Sequence, residues 1–172
     1  GPGSGKTTIA LIKAQSIIKE KQIKKEQKVL FLSFARATIS RIEQQLSDLI
    51  EDSFADSIEI TTYHSFFWTI LKSHGYLVNK KPLKIILPHE LAVSLSAISS
   101  KIGKSSEVRR LYDEEGLISF DLFASECADL LNRSKSLTTI LSNAYPIIIL
   151  DEFQDTDTDQ WNLVKLFAKK SI

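Results

Sequence analysis

Two spacings of apolar residues alternate along the chain, one suited to helices and one to strands. The stretch KTTIALIKAQSIIKEK, starting at Lys6, carries Ile9, Ile12, Ile17 and Ile18 at helical spacings and ends in lysines, whose charge suits a helix C-terminus. VLFLSF, at 29–34, is almost wholly apolar, the pattern of a strand buried on both faces. RATISRIEQQLSDLI returns to a helical period through Ile39, Ile42, Leu46 and Leu49. IEITTYH, at 58–64, predicts a strand rich in β-branched residues, followed by an apolar helix from Ser65 to about Leu71. From Gly75 to Gly116 the pattern is less regular, with Pro82, Pro88 and Gly103 and short helices predicted around 89–101 and 105–115. ISFDLFASECADLL predicts a helix, a polar connection follows, and PIIILD, at 146–151, predicts a third buried strand. A last helix is predicted in DTDQWNLVKLFAKK, with Asp157 or Thr158 as its cap.

Apolar strands separated by helices predict an α/β fold, a parallel sheet with helices on both faces. Ligands gather beyond the carboxyl ends of the strands in such a fold. The places to look for chemistry are therefore just past Phe34, His64 and Leu150.

Composition narrows the classes. With 172 residues, 43% hydrophobic and 25% charged, the chain suits one globular domain with a real core. Runs such as IIIL at 147–150 fall far short of the roughly 20 residues that span a bilayer, and no charged-then-apolar leader opens the chain, so a cytoplasmic location without a membrane partner is expected. The single cysteine, Cys127, excludes internal disulfides and cysteine-based metal clusters, and reads as a buried thiol. A net charge of +1 does not by itself announce a nucleic-acid partner. The chain has no methionine, even at position 1, which leads to the expectation that it is a piece of a longer protein.

The first eight residues, GPGSGKTT, hold the heart of a phosphate-binding loop. Gly-Pro-Gly-Ser is also what a cleaved affinity tag leaves behind, but the native sequence would then begin inside the motif. In the loop reading, Gly3, Ser4, Gly5, Lys6, Thr7 and Thr8 bind a nucleoside triphosphate, which the resemblance given below implies to be ATP: backbone N–H groups close on the phosphates, Lys6 reaches the outer ones and Thr7 ligates Mg2+. Past Leu150 comes DEFQDT, which places Asp151 and Glu152 where a strand emerges, a costly position for two carboxylates unless a cation or polar ligand sits there. A strand ending in an acid can also simply cap the next helix. Paired with the loop, Asp151 is expected to hold the metal and Glu152 to position and deprotonate the attacking water.

In order along the chain, GPGSGKTT, VLFLSFARATISRIEQQL, TTYHSFF and IIILDEFQDTDTDQW resemble motifs I, Ia, Ib and II of the superfamily 1 DNA helicases of the UvrD, Rep and PcrA type. DEFQDT is the specific part. The resemblance covers both ends of the chain well and the middle poorly. It implies the first of two RecA-like P-loop domains of a motor that hydrolyses ATP to move along single-stranded DNA, usually 3′ to 5′, with a second RecA-like domain of the same protein as partner. By the same resemblance Glu152, Lys6 and Gln154 are catalytic, and Gln154 and Asp155 link the nucleotide site to the motor. Ser33, Phe34, Arg36, Tyr63, His64, Ser65 and Phe66 would face DNA, hydroxyl and guanidinium meeting phosphate while rings stack on bases. Read without the family, Phe34 and Phe66 are core residues and His64 a cap.

There are departures. Where relatives commonly show TFTNKAA, this chain has SFARATI, so Ala35 lacks the hydroxyl, Ala37 lacks the lysine and Arg36 supplies the charge. Relatives insert an accessory subdomain between motifs Ib and II; here 75–117 forms only a small, mostly helical insertion. Trp68 and Trp161, on apolar helical faces, read as core, His74 and His89 as surface or cap residues, and the lysines from 19 to 28 as a solvated helix end. The family's GDxxQ segment and the arginines of its second domain do not occur, so this piece alone is expected to bind nucleotide weakly and barely hydrolyse it. Two other readings fit the loop and acid: a P-loop ATPase that does not act on nucleic acid, and a non-catalytic nucleotide- or DNA-binding module.

Overall fold

A computed structural model describes residues 6–20, 23–34, 39–40, 42–44, 56–151 and 158–168, leaving aside the side chains of Lys6 and Thr7. In chain order the elements are α1 (Lys6–Lys19), β1 (Val29–Ser33), β2 (Ile58–Thr62), α2 (Tyr63–His74), α3 (Tyr76–Asn79), β3 (Lys84–Ile85), α4 (Pro88–Leu95), α5 (Lys101–Arg110), β4 (Leu117–Ile118), α6 (Phe123–Arg133), α7 (Lys135–Ala144), β5 (Ile147–Leu150) and α8 (Thr158–Ala168). A π turn at Leu111–Glu115 follows α5, and a 3₁₀ turn at Phe120–Leu122 precedes α6. The chain forms two compact units, one comprising Gly1–Tyr63 and Ser134–Ile172, the other His64–Arg133, a wider span than the expected insertion at 75–117.

The first unit is α/β, with a parallel sheet in the order β2-β1-β5 flanked by helices. Val29 lies opposite both Ile58 and Ile147, and the register runs in step to the carboxyl ends. All five residues of β1 are buried, as its apolar run predicts for a strand covered on both faces. Alternation sends Val29 and Phe31 to one face, where they join Leu11, Ala14, Ile42 and Ile58 in a core flanked by Ile60, Ile147 and Ile149. Strand β5 is only half-buried, not the fully buried strand expected, and among the described residues it pairs with β1 alone.

The stripe that α1 buries also differs from expectation. Leu11 and Ala14 are buried with Ile18 packed beside them, while Ile9 is 67% and Ile12 51% exposed. Positions 11, 14 and 18 share the helical spacing of the isoleucines, and it is this overlapping stripe that fits the sheet. Strand β2 ends at Thr62, not at His64, and α2 begins at Tyr63. The reason lies in the period: Tyr63, Phe66, Phe67, Ile70 and Leu71 are all buried, an i, i+3, i+4 series that starts at Tyr63. The expected polar connection after α6 is helix α7, whose N-cap Ser134 accepts a hydrogen bond from the N–H of Leu137 at 3.3 Å and whose buried face is Leu137 and Leu141. Helix α7 meets α8 through Ser142, whose hydroxyl donates to the carbonyl of Phe167 at 2.6 Å. The cap expected at Asp157 lies outside the described residues.

In the second unit, β3 and β4 pair in parallel, Lys84 opposite Leu117, so Ile118 is a strand residue rather than the start of a helix. The two helices between them occupy other ranges than expected. Pro88 opens α4 at its first position, helical structure is interrupted at 96–100, and the Ser100 hydroxyl caps α5 by accepting from the N–H of Gly103 at 3.0 Å. Neither α4 nor α5 contains a buried residue. The π turn ends at Gly116, whose φ of +71° is open to glycine and strained for other residues. Among the described residues no helix is long and apolar enough to cross a membrane.

A methyl group on Gly116 would meet the Pro82 carbonyl at 2.8 Å as well as strain the backbone. Gly116→Ala should therefore lower the unfolding free energy by about 1–3 kcal/mol. Urea denaturation followed by circular dichroism checks this, and an unchanged midpoint would refute it.

Candidate functional site

The carboxyl rim of the sheet is built from the last residues of its three strands. The N–H of Asp151 donates to the Leu32 carbonyl at 2.9 Å, carrying the pairing of β5 with β1 one residue past Leu150. This sets Asp151 beside Ser33, and the Ser33 hydroxyl donates to Oδ2 of Asp151 at 3.4 Å. Ser33 in turn lies opposite Thr62. Period-two alternation puts 151 on the face of Ile147 and Ile149, and Ser33 on that of Val29 and Phe31, the core face that α1 covers. A row of two hydroxyls and a carboxylate thus crosses the rim on that face.

The next residue, Phe34, is half-buried and tilts its ring against Tyr63, centroids 4.6 Å apart. Ser33, Phe34, Tyr63 and Asp151 are therefore brought together in the first unit. Helix α1 opens at Lys6, so the backbones of Lys6, Thr7 and Thr8 form its first turn, with the Thr8 side chain half-buried. Gly3, Ser4, Gly5, Arg36, Glu152, Gln154 and Asp155 lie outside the described residues.

Of the residues expected to face DNA, Tyr63 at 0% and Phe66 at 4% exposure are core residues. Both belong to the apolar stripe of α2, the core place that Phe66 takes when read without the family. Ser33, at 1%, turns its hydroxyl to Asp151 and not to solvent. In the second unit His64 and Ser65 are exposed. The His64 ring stands edge-on to Phe120 at 5.7 Å and lies 6.1 Å from Phe123, on which half-buried Trp68 stacks at 5.7 Å with 14° between planes. Sequence reasoning missed Phe120 and Phe123 as neighbours of His64; their spacing of three in FDLF was the available signal. Trp161, expected in the core, is 37% exposed with the Lys165 ammonium 5.4 Å from its ring centroid.

Charge in the second unit is gathered at the end of α5. Glu126 is buried and paired with Arg109 at 2.5 Å, while Arg110 forks across Glu107, Glu114 and Glu115 at 2.7–3.1 Å. The Arg110 hydrogen bond holds the Glu107 carboxyl below its ordinary range. Burial pushes the Cys127 thiol well up, in keeping with the buried-thiol reading. In the first unit burial, and then the Glu59 carboxylate that accepts its hydrogen bond at 2.9 Å, raise the Tyr145 phenol.

Two predictions follow from these shifts. Cys127 should resist iodoacetamide in the folded chain and react fully in urea; rapid alkylation without denaturant, followed by mass spectrometry, would show the burial to be wrong. A phenol with a raised folded-state pKa stabilises the fold fully below the ordinary value of about 10, and this contribution fades as pH climbs through and above it. The stability gap between the wild-type chain and Tyr145→Phe should hence narrow from pH 8 to pH 11, and a gap that stays constant or widens would contradict it.

The sequence matches the family model described as "UvrD/REP helicase N-terminal domain" over residues 1–112 and 104–172. It is similar to a "Probable DNA helicase" of Mycoplasma pneumoniae, 22% identical over 214 aligned positions that take in 98% of this chain and 40% of the relative. A "Probable DNA helicase II homolog" of the same organism is 24% identical, covering 98% of the chain and 30% of the relative. Another of that description, from Mycoplasma genitalium, is 21% identical over 99% of the chain and 31% of its own length. The chain thus spans well under half of each of these relatives.

Proposed function

The chain belongs to the UvrD/REP helicase N-terminal domain family, and on that premise we propose that it is the ATP-binding part of a DNA helicase or translocase that moves 3′ to 5′ on single-stranded DNA by hydrolysing ATP. The observation that carries the reading is the placement of Asp151 at the carboxyl rim of a parallel sheet on which α1, opening at the lysine of GKTT, is packed. A helix that packs on such a sheet and feeds its next strand runs antiparallel to it, which brings its N-terminus, the anion-binding end, to the same rim.

The donor set fits the cofactor. Carboxylate and hydroxyl oxygens are hard ligands of the kind magnesium takes, and Thr7 and Asp151 would supply them. Magnesium, when bound, neutralises charge on the phosphate oxygens. The remaining work belongs to the chain: Lys6 and the loop amides of Gly3 to Thr8 bind the phosphates, Glu152 orients the attacking water and takes its proton, and Gln154 and Asp155 tie this site to the rest of the motor. DNA contact falls to Phe34 and Arg36 in the first unit and to His64 and Ser65 in the second, with buried Tyr63 and Phe66 as supports. A second RecA-like domain of the same protein would close over the nucleotide.

The accessory insertion is read as reduced.

ATP hydrolysis by the full-length protein, with and without single-stranded DNA, tests the proposal. DNA should stimulate turnover, and Glu152→Gln should lower kcat by about 10²–10⁴ while nucleotide still binds. Turnover indifferent to DNA would leave a P-loop ATPase of another kind; absence of turnover would leave a binding module.

A further inference from the structure

We infer that Ser33 is a positioning residue for Asp151, holding the metal-binding carboxylate in place through its hydroxyl instead of contacting DNA. The inference rests on the proposed nucleotide site and deepens it.

Three observations converge on Ser33. It is the last residue of a strand paired on both sides, so the backbone on which it sits is held by β2 and β5 together. Its side chain is 1% exposed, and a buried hydroxyl is costly unless it finds an acceptor. That acceptor is Oδ2 of Asp151, at 3.4 Å. The bond from Asp151 N–H to Leu32 O sets the two residues next to each other, so their adjacency follows from the sheet register.

The distance is long for a hydroxyl and a carboxylate, and hydrogen bonds of this kind commonly tighten when the ligand arrives. A carboxylate has several lone-pair directions, so a donor fixed at Oδ2 leaves capacity for a cation while restricting rotation about the last bond of the side chain. Fixing ligand orientation from behind is how such partners raise metal affinity. Ser33 also lies by alternation on the face covered by α1, while Phe34 beside it packs against Tyr63. Neighbouring residues of one motif thereby divide, Ser33 toward the nucleotide site and Phe34 toward the expected DNA contact.

The test uses the full-length protein, with ADP as probe, titrated by calorimetry in magnesium and in EDTA. In the wild type, magnesium should tighten ADP binding. Ser33→Ala should reduce that tightening by about tenfold, the lower end of the cost of losing such a partner, with ADP affinity in EDTA unchanged. Ser33→Thr, which keeps the hydroxyl, should restore it; Ser33→Cys, of similar volume but a weak donor, should behave like Ser33→Ala and covers the case in which threonine does not fit. Affinity for single-stranded DNA without nucleotide, by fluorescence anisotropy, should be the same in wild type and Ser33→Ala. A Ser33→Ala protein with normal magnesium dependence and weakened DNA binding would overturn the inference and return Ser33 to the DNA contact. A wild type whose ADP binding ignores magnesium would overturn the nucleotide reading itself, and this inference with it.

Discussion

Strand β1 has no surface of its own. Both backbone edges are paired and all five side chains are buried, so the strand can carry polar chemistry only where it ends. That constraint organises the first unit. Its apolar residues recruit α1 on one face, its neighbours take their register from it, and its last residue is the place where a hydroxyl becomes affordable because an acceptor emerges from β5 alongside. The carboxylate of Asp151 and the hydroxyl of Ser33 are polar groups at the edge of a dry interior, where an interaction gains strength from the low dielectric and a missing partner is penalised for the same reason.

The second unit solves a different problem. Helices α4 and α5 contain no fully buried residue, and residues such as Leu91, Leu95 and Val108 are only half-buried, so little core of their own orders them. Their ends are held by local bonds. The Glu90 carboxylate accepts from the N–H of Leu87 at 2.8 Å, Ser100 caps α5, and Arg110 gathers three carboxylates. Most of these are exposed and individually weak. The pair of Arg109 with buried Glu126 differs, because losing the cation would strand a desolvated carboxylate.

The strands were legible from VLFLS and IIIL as short apolar runs and from IEITT through its β-branched residues, although of the three only β1 is buried along its whole length. Helix positions were less legible. In α1 two stripes share one period, and only the sheet decides that Leu11 and Ala14 go inside; in α7 the abundant Ser, Thr and Lys hid Leu137 and Leu141. Trp161 shows the same limit, since an apolar helical face does not state how much of itself is covered. At the site, Asp151 could be read from its place after a strand. The partner of Ser33 could not, because it lies 118 residues away and is reached only through strand order.

The small sheet of β3 and β4 has a further meaning. Through the bonds from Lys84 N–H to the Gly116 carbonyl at 2.9 Å and from Ile86 N–H to the Ile118 carbonyl at 3.1 Å, the chain leaves for the α4–α5 segment and returns from it at one spot. The two stems are clasped before either helix begins. What is threaded between them, from α4 to the start of α5, can then lengthen or shorten with little demand on the frame that holds it, as loops with adjacent ends allow. The far end is tied down, because Leu111 and Tyr112 are buried and Arg109 answers Glu126, so the clasp makes an exchangeable cassette of the outer part alone.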